Sequence, residues 1–369
     1  MPKDSQLAEL LRSTALIIWD EVPIQHRYCF EAVHRMLADV RSNTQALFGG
    51  VPVILGGDFA QILPVVKRGT RADIVAACLR QSFLWPSLRI LSLRQNMRVL
   101  EGELNQRFAT WVRSLSYDPT LTGRIQLPTG IAQSTSLQPF IDSIYPPALL
   151  RQAHTNLHTF YGRAILTVRN DTVAAINDTI LPSLDGPESV FHSTDTVEQD
   201  DPNTENTPPP ELLRSFNPVG LPPARLCLKV GAPIILLRNL YPKEGLCNGT
   251  RMVLTRIGRR CLEARILGGS FADQLRIIPR IMLSSTEGEL PFIIGRRQFP
   301  IRLSFAMTIN KSQGQSFNFV GVDLRMPVFT HGQLYVALSR VTTVNGISVL
   351  LPLNQTETNN IIYPEVLLL

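Results

Sequence analysis

Residues 15–21 read Ala15-Leu16-Ile17-Ile18-Trp19-Asp20-Glu21, an apolar strand that ends on two adjacent carboxylates. Acids at the carboxyl end of a buried parallel strand are where nucleoside triphosphatases hold Mg²⁺ and orient the attacking water. Asp20 suits the first role, acting on the metal through water, and Glu21 the second. The phosphate cradle that partners such a strand is G-x-x-x-x-G-K-[ST], whose backbone N–H groups and Lys surround the phosphates. No stretch of the 369 residues matches it. Either the fold is a different one, or the sequence starts downstream of the cradle, which would then stand some tens of residues before Leu16.

Working outward, the length allows two or three domains, and 44% hydrophobic residues suffice for packed cores. No apolar run approaches the roughly 18 residues of a membrane span, and the opening Met1-Pro2-Lys3-Asp4-Ser5-Gln6 lacks the apolar centre of a signal peptide. An intracellular protein with no membrane partner is expected. The five cysteines are far apart and include no C-x-x-C pair, which reads as reduced thiols rather than a zinc or redox site. Net charge is +6, yet His192 to Glu211 holds six acids and no Lys or Arg, leaving +12 on the rest. A basic body suits a polyanionic partner such as DNA or RNA.

The apolar runs Ala15 to Trp19, Val51 to Leu55 and Leu88 to Leu93 read as strands, and the apolar spacing from Pro23 to Arg41 as one face of a helix. Strand, helix, strand is the grammar of a doubly wound α/β domain, whose ligands sit at the carboxyl ends of its strands. Helices are expected over Gly102 to Leu115, Asn170 to Leu181 and Gly332 to Arg340, and strands over Arg163 to Val168, Arg302 to Ala306, Phe319 to Leu324 and Gly346 to Leu351. Short β-rich runs between Lys229 and Pro300 suggest a small inserted barrel. The acidic, Pro-rich stretch reads as a mobile loop, because it cannot bury enough apolar area to fold alone. The expected domains are a first α/β unit over 1–150, a second over 151–228 and 301–369, a β-rich insert over 229–300 and an acidic mobile loop over 192–211.

The run Gly56-Gly57-Asp58-Phe59-Ala60-Gln61 follows the second strand. Its glycines let backbone approach a ligand, and Gln61 can orient a water or touch a terminal phosphate. With GGDFAQILPV come LRQNMR at Leu93 to Arg98, AMTINKSQGQSF at Ala306 to Phe317 and LYVALSRV at Leu334 to Val341. In this order they resemble motifs III, IV, V and VI of the PIF1-like superfamily 1B DNA helicases, with LIIWDE as motif II. LKVGAPIILLRNLYPKEGLCNGT, from Leu228, resembles the stretch leading into that family's inserted barrel. The wording around INKSQGQSF is most similar to the helicase domains of Helitron-type transposons.

The resemblance spans almost the whole chain. It implies two RecA-like domains, the first truncated at its N-terminus, with a small SH3-like β-barrel in the second. It also implies an ATP-dependent, Mg²⁺-requiring helicase that moves 5′ to 3′ on single-stranded DNA and meets duplex junctions. Such a protein would act as a monomer in repair, recombination, telomere maintenance or transposition, in the nucleus or in mitochondria, with no protein partner implied. Glu21, Gln61, Arg98 and Arg340 would be catalytic, Gln313 and Gly314 would face the nucleotide, and Thr308, Asn310, Lys311 and Ser312 would grip DNA. Asn310 stands where many relatives carry His, and Ala60 where a basic residue is frequent. Two arginines offer paired donors to phosphate oxygens; outside these motifs, Arg340 would more simply cap its helix. The basic insert, with Arg251, Arg256, Arg259, Arg260, Arg265, Arg276, Arg280, Arg296 and Arg297, could steer single-stranded DNA. Without a phosphate cradle, the rival reading is a truncated remnant that binds DNA and does not hydrolyse ATP. A nucleotide-dependent switch with no nucleic-acid role is the third.

Overall fold

The computed structural model of the chain describes residues 2–93, 102–198, 208–218, 220–286, 288 and 290–367. The strand Ile17–Trp19 lies parallel to Val53–Leu55, with Ile17 opposite Val53 and Trp19 opposite Leu55. Parallel neighbours need a crossover of a dozen or more residues, and the helix Arg27–Val40 provides it. His26 caps this helix by accepting the Tyr28 N–H. Phe30 and Leu37 on its buried face join Trp19 and Leu55 in one core, with the Trp19 and Phe30 rings 4.5 Å apart. The expected third strand, Leu88 to Leu93, is not one: it carries no ladder, and Ile90, Leu91 and Leu93 are exposed. Its apolar composition looks like a strand, but no sheet face covers it.

The second sheet is fully parallel, in the order Ala306–Thr308, Arg163–Thr167, Phe319–Asp323, Ile347–Leu350, Ala132–Ser134. Its central strands are near-continuous apolar runs because both faces are covered. Phe140, Ile144, Ile176 and Ile180, from the helices Leu137–Ile144 and Asn170–Ile180, pack in one core with Ile165. Phe108, Val112 and Leu115 from Glu103–Tyr117 and Leu334 and Leu338 from Gln333–Leu338 pack in the other with Val320 and Val349. The first unit therefore does not run to 150. The apolar stripe of Glu103–Tyr117, the strand Ala132–Ser134 and the helix Leu137–Ile144 all serve the second sheet.

The insert forms a five-stranded antiparallel sheet, ordered Leu275–Pro279, Cys261–Ile266, Arg251–Ile257, Pro233–Leu236, Ile301–Leu303. Beside it Ile293–Gln298 pairs antiparallel with Ile281–Ser284 and with Thr194–Glu198. The β-rich region thus extends past 229–300 on both sides. The mobile loop expected over 192–211 is also corrected: it opens as the strand Thr194–Glu198 and closes within the helix Pro210–Ser215, while 199–207 lie outside the described residues.

The cause is Asp195, whose carboxylate takes Arg296 Nε at 3.0 Å and Nη2 at 2.7 Å with both side chains buried. The other Arg296 donors reach the carbonyls of Leu213, Phe216 and Pro222. A buried ion pair is tolerable when its donors are matched in this way. Arg251 is likewise spent inside, on the carbonyls of Arg163 and Ser304. Arg256, Arg259, Arg260 and Arg297 remain exposed. Replacing Asp195 by Ala strands the Arg296 charge, so urea unfolding should show a loss of about 3–5 kcal/mol, largely recovered when Arg296→Met is added.

Candidate nucleotide and nucleic-acid site

Both strands of the first sheet end at one crevice. The Gly56 N–H donates to the Trp19 carbonyl, and the Val22 N–H to the Gly56 carbonyl, which ties the acid turn to the glycine turn. Glu21 sits in left-handed backbone at φ 53°, an uncommon state for a side chain of its size, and Asp20 Oδ1 accepts its N–H at 2.8 Å. A Cβ on Gly56 would stand 2.9 Å from Asp20 Oδ1, and one on Gly57 would stand 2.3 Å from Pro23 Cδ. The glycines keep the exposed Asp20 carboxylate uncrowded.

The second sheet delivers its own loop to the same place. After Ala306–Thr308 the chain turns tightly through Ile309–Ser312 and reaches Gln313 and Gly314. Gln313 Nε2 donates to Gln61 Oε1 at 3.4 Å, and Glu21 Oε1 is 3.7 Å from where a Cβ on Gly314 would lie. Four residues singled out by sequence, Glu21, Gln61, Gln313 and Gly314, therefore meet. Thr308 is nearly buried at its strand end, and Asn310 Oδ1 accepts from Gln333 Nε2 at 3.1 Å. Lys311 is exposed by area, while the protein around its amine and the nearby Arg302 cation lower its pKa from the usual lysine value. Ser312 corrects its expected DNA-gripping role: it is fully buried and its hydroxyl donates to the Ile309 carbonyl, closing the turn.

Arg340 is 2% exposed. Its Nε donates to the Val336 carbonyl at 2.9 Å, Nη1 to the Gln315 carbonyl at 3.1 Å and Nη2 to Ser339 Oγ at 2.9 Å. These are the contacts of a helix C-terminal cap that also holds the loop after Gly314. Arg98 lies outside the described residues.

Sequence reading missed the residues that join the two sheets. Tyr335 donates its hydroxyl to Asp58 Oδ2 at 2.9 Å, while Asp58 Oδ1 takes the Ala60 N–H at 2.9 Å. Burial, then the Asp58 charge, raises the Tyr335 pKa, which keeps the phenol a donor. His331 is fully buried; Nδ1 accepts the Tyr363 N–H, so Nε2 carries the proton and donates to the Phe59 carbonyl at 2.8 Å. Gly332, at φ 70°, packs where a Cβ would be 2.3 Å from the Ala60 carbonyl oxygen. The available signal was a His-Gly pair just before a helix, where glycine permits close backbone approach.

The two carboxylates fit the chemistry of a magnesium ion. Magnesium usually keeps several waters and takes one or two carboxylates together with substrate phosphates, as an exposed Asp20 beside Glu21 allows. Among the described residues no cluster of three or more His, Cys, Asp or Glu forms an all-protein metal cage, and no helix is long and apolar enough to cross a membrane.

The family model of the PIF1-like helicase matches residues 1–118, and that of the DNA helicase Pif1 2B domain matches residues 211–257. The ATP-dependent DNA helicase PIF1 of Danio rerio is 28% identical over 341 residues, 90% of this chain and 46% of that protein. The chain is similar to the PIF1-like helicases along most of its length. It spans about half the length of the curated relatives it matches. The PIF1-like fold recurs in a solved structure of two coordinating Pif1 helicases at forked dsDNA, at TM-score 0.66 and 22% identity, covering 99% of this chain and 75% of that one. It recurs also in Pif1 helicase from Bacteroides in complex with ADP-AlF3 and ssDNA, at TM-score 0.65 and 21% identity, covering 99% and 76%.

The burial of His331 predicts that this junction weakens in acid. Desolvation lowers its pKa below the usual 6.5; the Phe59 carbonyl, Asp58 and Glu365 oppose that shift, and Arg71 adds to it. The unfolded chain therefore binds the proton more readily. The stability this site contributes is complete above about pH 6.5 and is lost as pH falls through the lowered value. Urea midpoints measured from about pH 7.5 down to about pH 5 should fall more steeply for the wild type than for His331→Gln, which does not titrate there.

Proposed function

We propose that this PIF1-like chain forms the motor core of an ATP-dependent DNA helicase that moves 5′ to 3′ along single-stranded DNA. The observation that carries this is the meeting of two strand ends of the first sheet with the loop after Ala306–Thr308, marked by the contact from Gln313 to Gln61. A site split between two α/β units can couple nucleotide chemistry to their relative movement. Relatives that are ATP-dependent DNA helicases, and solved neighbours that hold ssDNA or forked dsDNA, agree with this reading.

In the proposed mechanism Asp20 would hold Mg²⁺ through water, and the metal would supply charge neutralisation at the phosphates. Glu21 accepts the proton of the hydrolytic water from a carboxylate set by its left-handed backbone. Gln61 contacts the terminal phosphate, and Gln313 and Gly314 bound the nucleotide from the second domain. Arg98 and Arg340 neutralise transferred charge, which for Arg340 requires its guanidinium to exchange the Val336 and Gln315 carbonyls for phosphate oxygens. Thr308, Asn310 and Lys311 contact the DNA backbone, with the exposed Arg256, Arg259, Arg260 and Arg297 adding salt-sensitive phosphate contacts. The protein would work as a monomer at duplex junctions in repair, recombination, telomere maintenance or transposition, in nuclei or mitochondria.

The test is single-strand-stimulated ATP hydrolysis by the natural full-length protein and by its Glu21→Gln variant. Hydrolysis should fall by about 10²-fold or more while ATP binding survives. Wild-type rates from the variant would contradict the role of Glu21, and DNA binding without any ATP binding in the wild type would favour the non-hydrolysing alternative.

A further inference from the structure

Three consecutive residues of the first domain are each held by the second. Asp58 is held by the Tyr335 hydroxyl, the Phe59 carbonyl by His331 Nε2, and the Ala60 carbonyl lies against Gly332. The next residue is Gln61, whose N–H donates to the Asp58 carbonyl at 3.0 Å and whose amide reaches Gln313. The two oxygens of Asp58 are divided between tasks: Oδ1 shapes the loop through the Ala60 N–H, and Oδ2 anchors it to the other domain. The loop's shape and its anchorage are therefore set by one carboxylate.

We infer that Tyr335 and His331 are positioning residues for Gln61, holding the Asp58–Gln61 loop from the second domain so that the Gln61 amide is aimed into the crevice. The inference rests on reading that crevice as a nucleotide site. The ring of His331 and the hydroxyl of Tyr335 are bonded to the loop itself, so they act through Gln61 and not on the reacting atoms. Any shift of the helix Gln333–Leu338 against the first sheet is passed to Gln61 by a hydrogen bond to a charged acceptor and by backbone contact, without slack. The nucleotide state at Gln61 would then be reported to the second domain along the same three contacts.

The test uses hydrogen exchange on the 369-residue chain together with binding of Mg²⁺-ATPγS and Mg²⁺-ADP. In Tyr335→Phe and in Asp58→Asn, amide exchange at Ala60 and Gln61 should rise about tenfold or more, while the strands Phe319–Asp323 and Ile347–Leu350 stay protected. His331→Gln, which offers both a donor and an acceptor, should keep more of that protection than His331→Ala. Tyr335→Phe should also lower the preference for the triphosphate over the diphosphate about tenfold, with ADP affinity retained. Unchanged exchange at Ala60 and Gln61 in both Tyr335→Phe and His331→Ala overturns the inference, and so does a uniform rise across the second sheet. If the wild type binds neither nucleotide, the nucleotide reading of the crevice fails, and the exchange result alone decides the positioning claim.

Discussion

The structure depends on one close approach. Gly332 brings the backbone before the helix Gln333–Leu338 against the carbonyl of Ala60, where a Cβ would be only 2.3 Å from oxygen. Only a residue without a side chain, at ease at φ 70°, lets the two units touch there. His331 and Tyr335 can reach Phe59 and Asp58 only because that contact exists. The Gln61 loop consequently belongs to both sheets, first by chain and second by hydrogen bonding. The crevice that gathers Asp20, Glu21, Gln61 and Gln313 is a product of this junction.

Charge in this PIF1-like chain divides between structure and solvent in a way composition conceals. Arg296, Arg251 and Arg340 are buried and donate to acids or carbonyls, so they fix the folds of the insert and of the loop after Gly314. Arg256, Arg259, Arg260 and Arg297 face water and supply the field a polyanion would meet. The acidic stretch repeats the division: Asp195 is buried on Arg296, so its charge belongs to the core and does not offset the surface. Breaking such a buried pair costs several times what an exposed pair contributes.

Much of the architecture was legible because local pattern and tertiary context agree. Ile17–Trp19, Val53–Leu55 and Arg163–Thr167 are apolar runs of strand length, Arg27–Val40 shows a helical stripe, and the insert alternates short β runs with turns. What escaped depends on partners distant in sequence. The stripe on Glu103–Tyr117 predicts a buried face but does not say that the second sheet covers it. Asp195 reads as part of a solvated loop until Arg296, 101 residues away, is placed beside it. Asn310, Lys311 and Ser312 are equally polar in sequence, yet the tight turn buries Ser312 and leaves Lys311 with exposed surface. His331 and Tyr335 escaped because their partners, a backbone carbonyl and an acid of the other domain, leave no local signature beyond the His-Gly pair before the helix.

If the junction joins nucleotide and nucleic-acid sites, binding at one must change affinity at the other by the same factor in both directions. The decisive measurement is the affinity of a labelled single-stranded oligonucleotide with and without Mg²⁺-ATPγS, paired with the affinity of the nucleotide with and without the oligonucleotide. A reciprocal change of about fivefold or more is expected. Two ligands that both bind but ignore each other would contradict it.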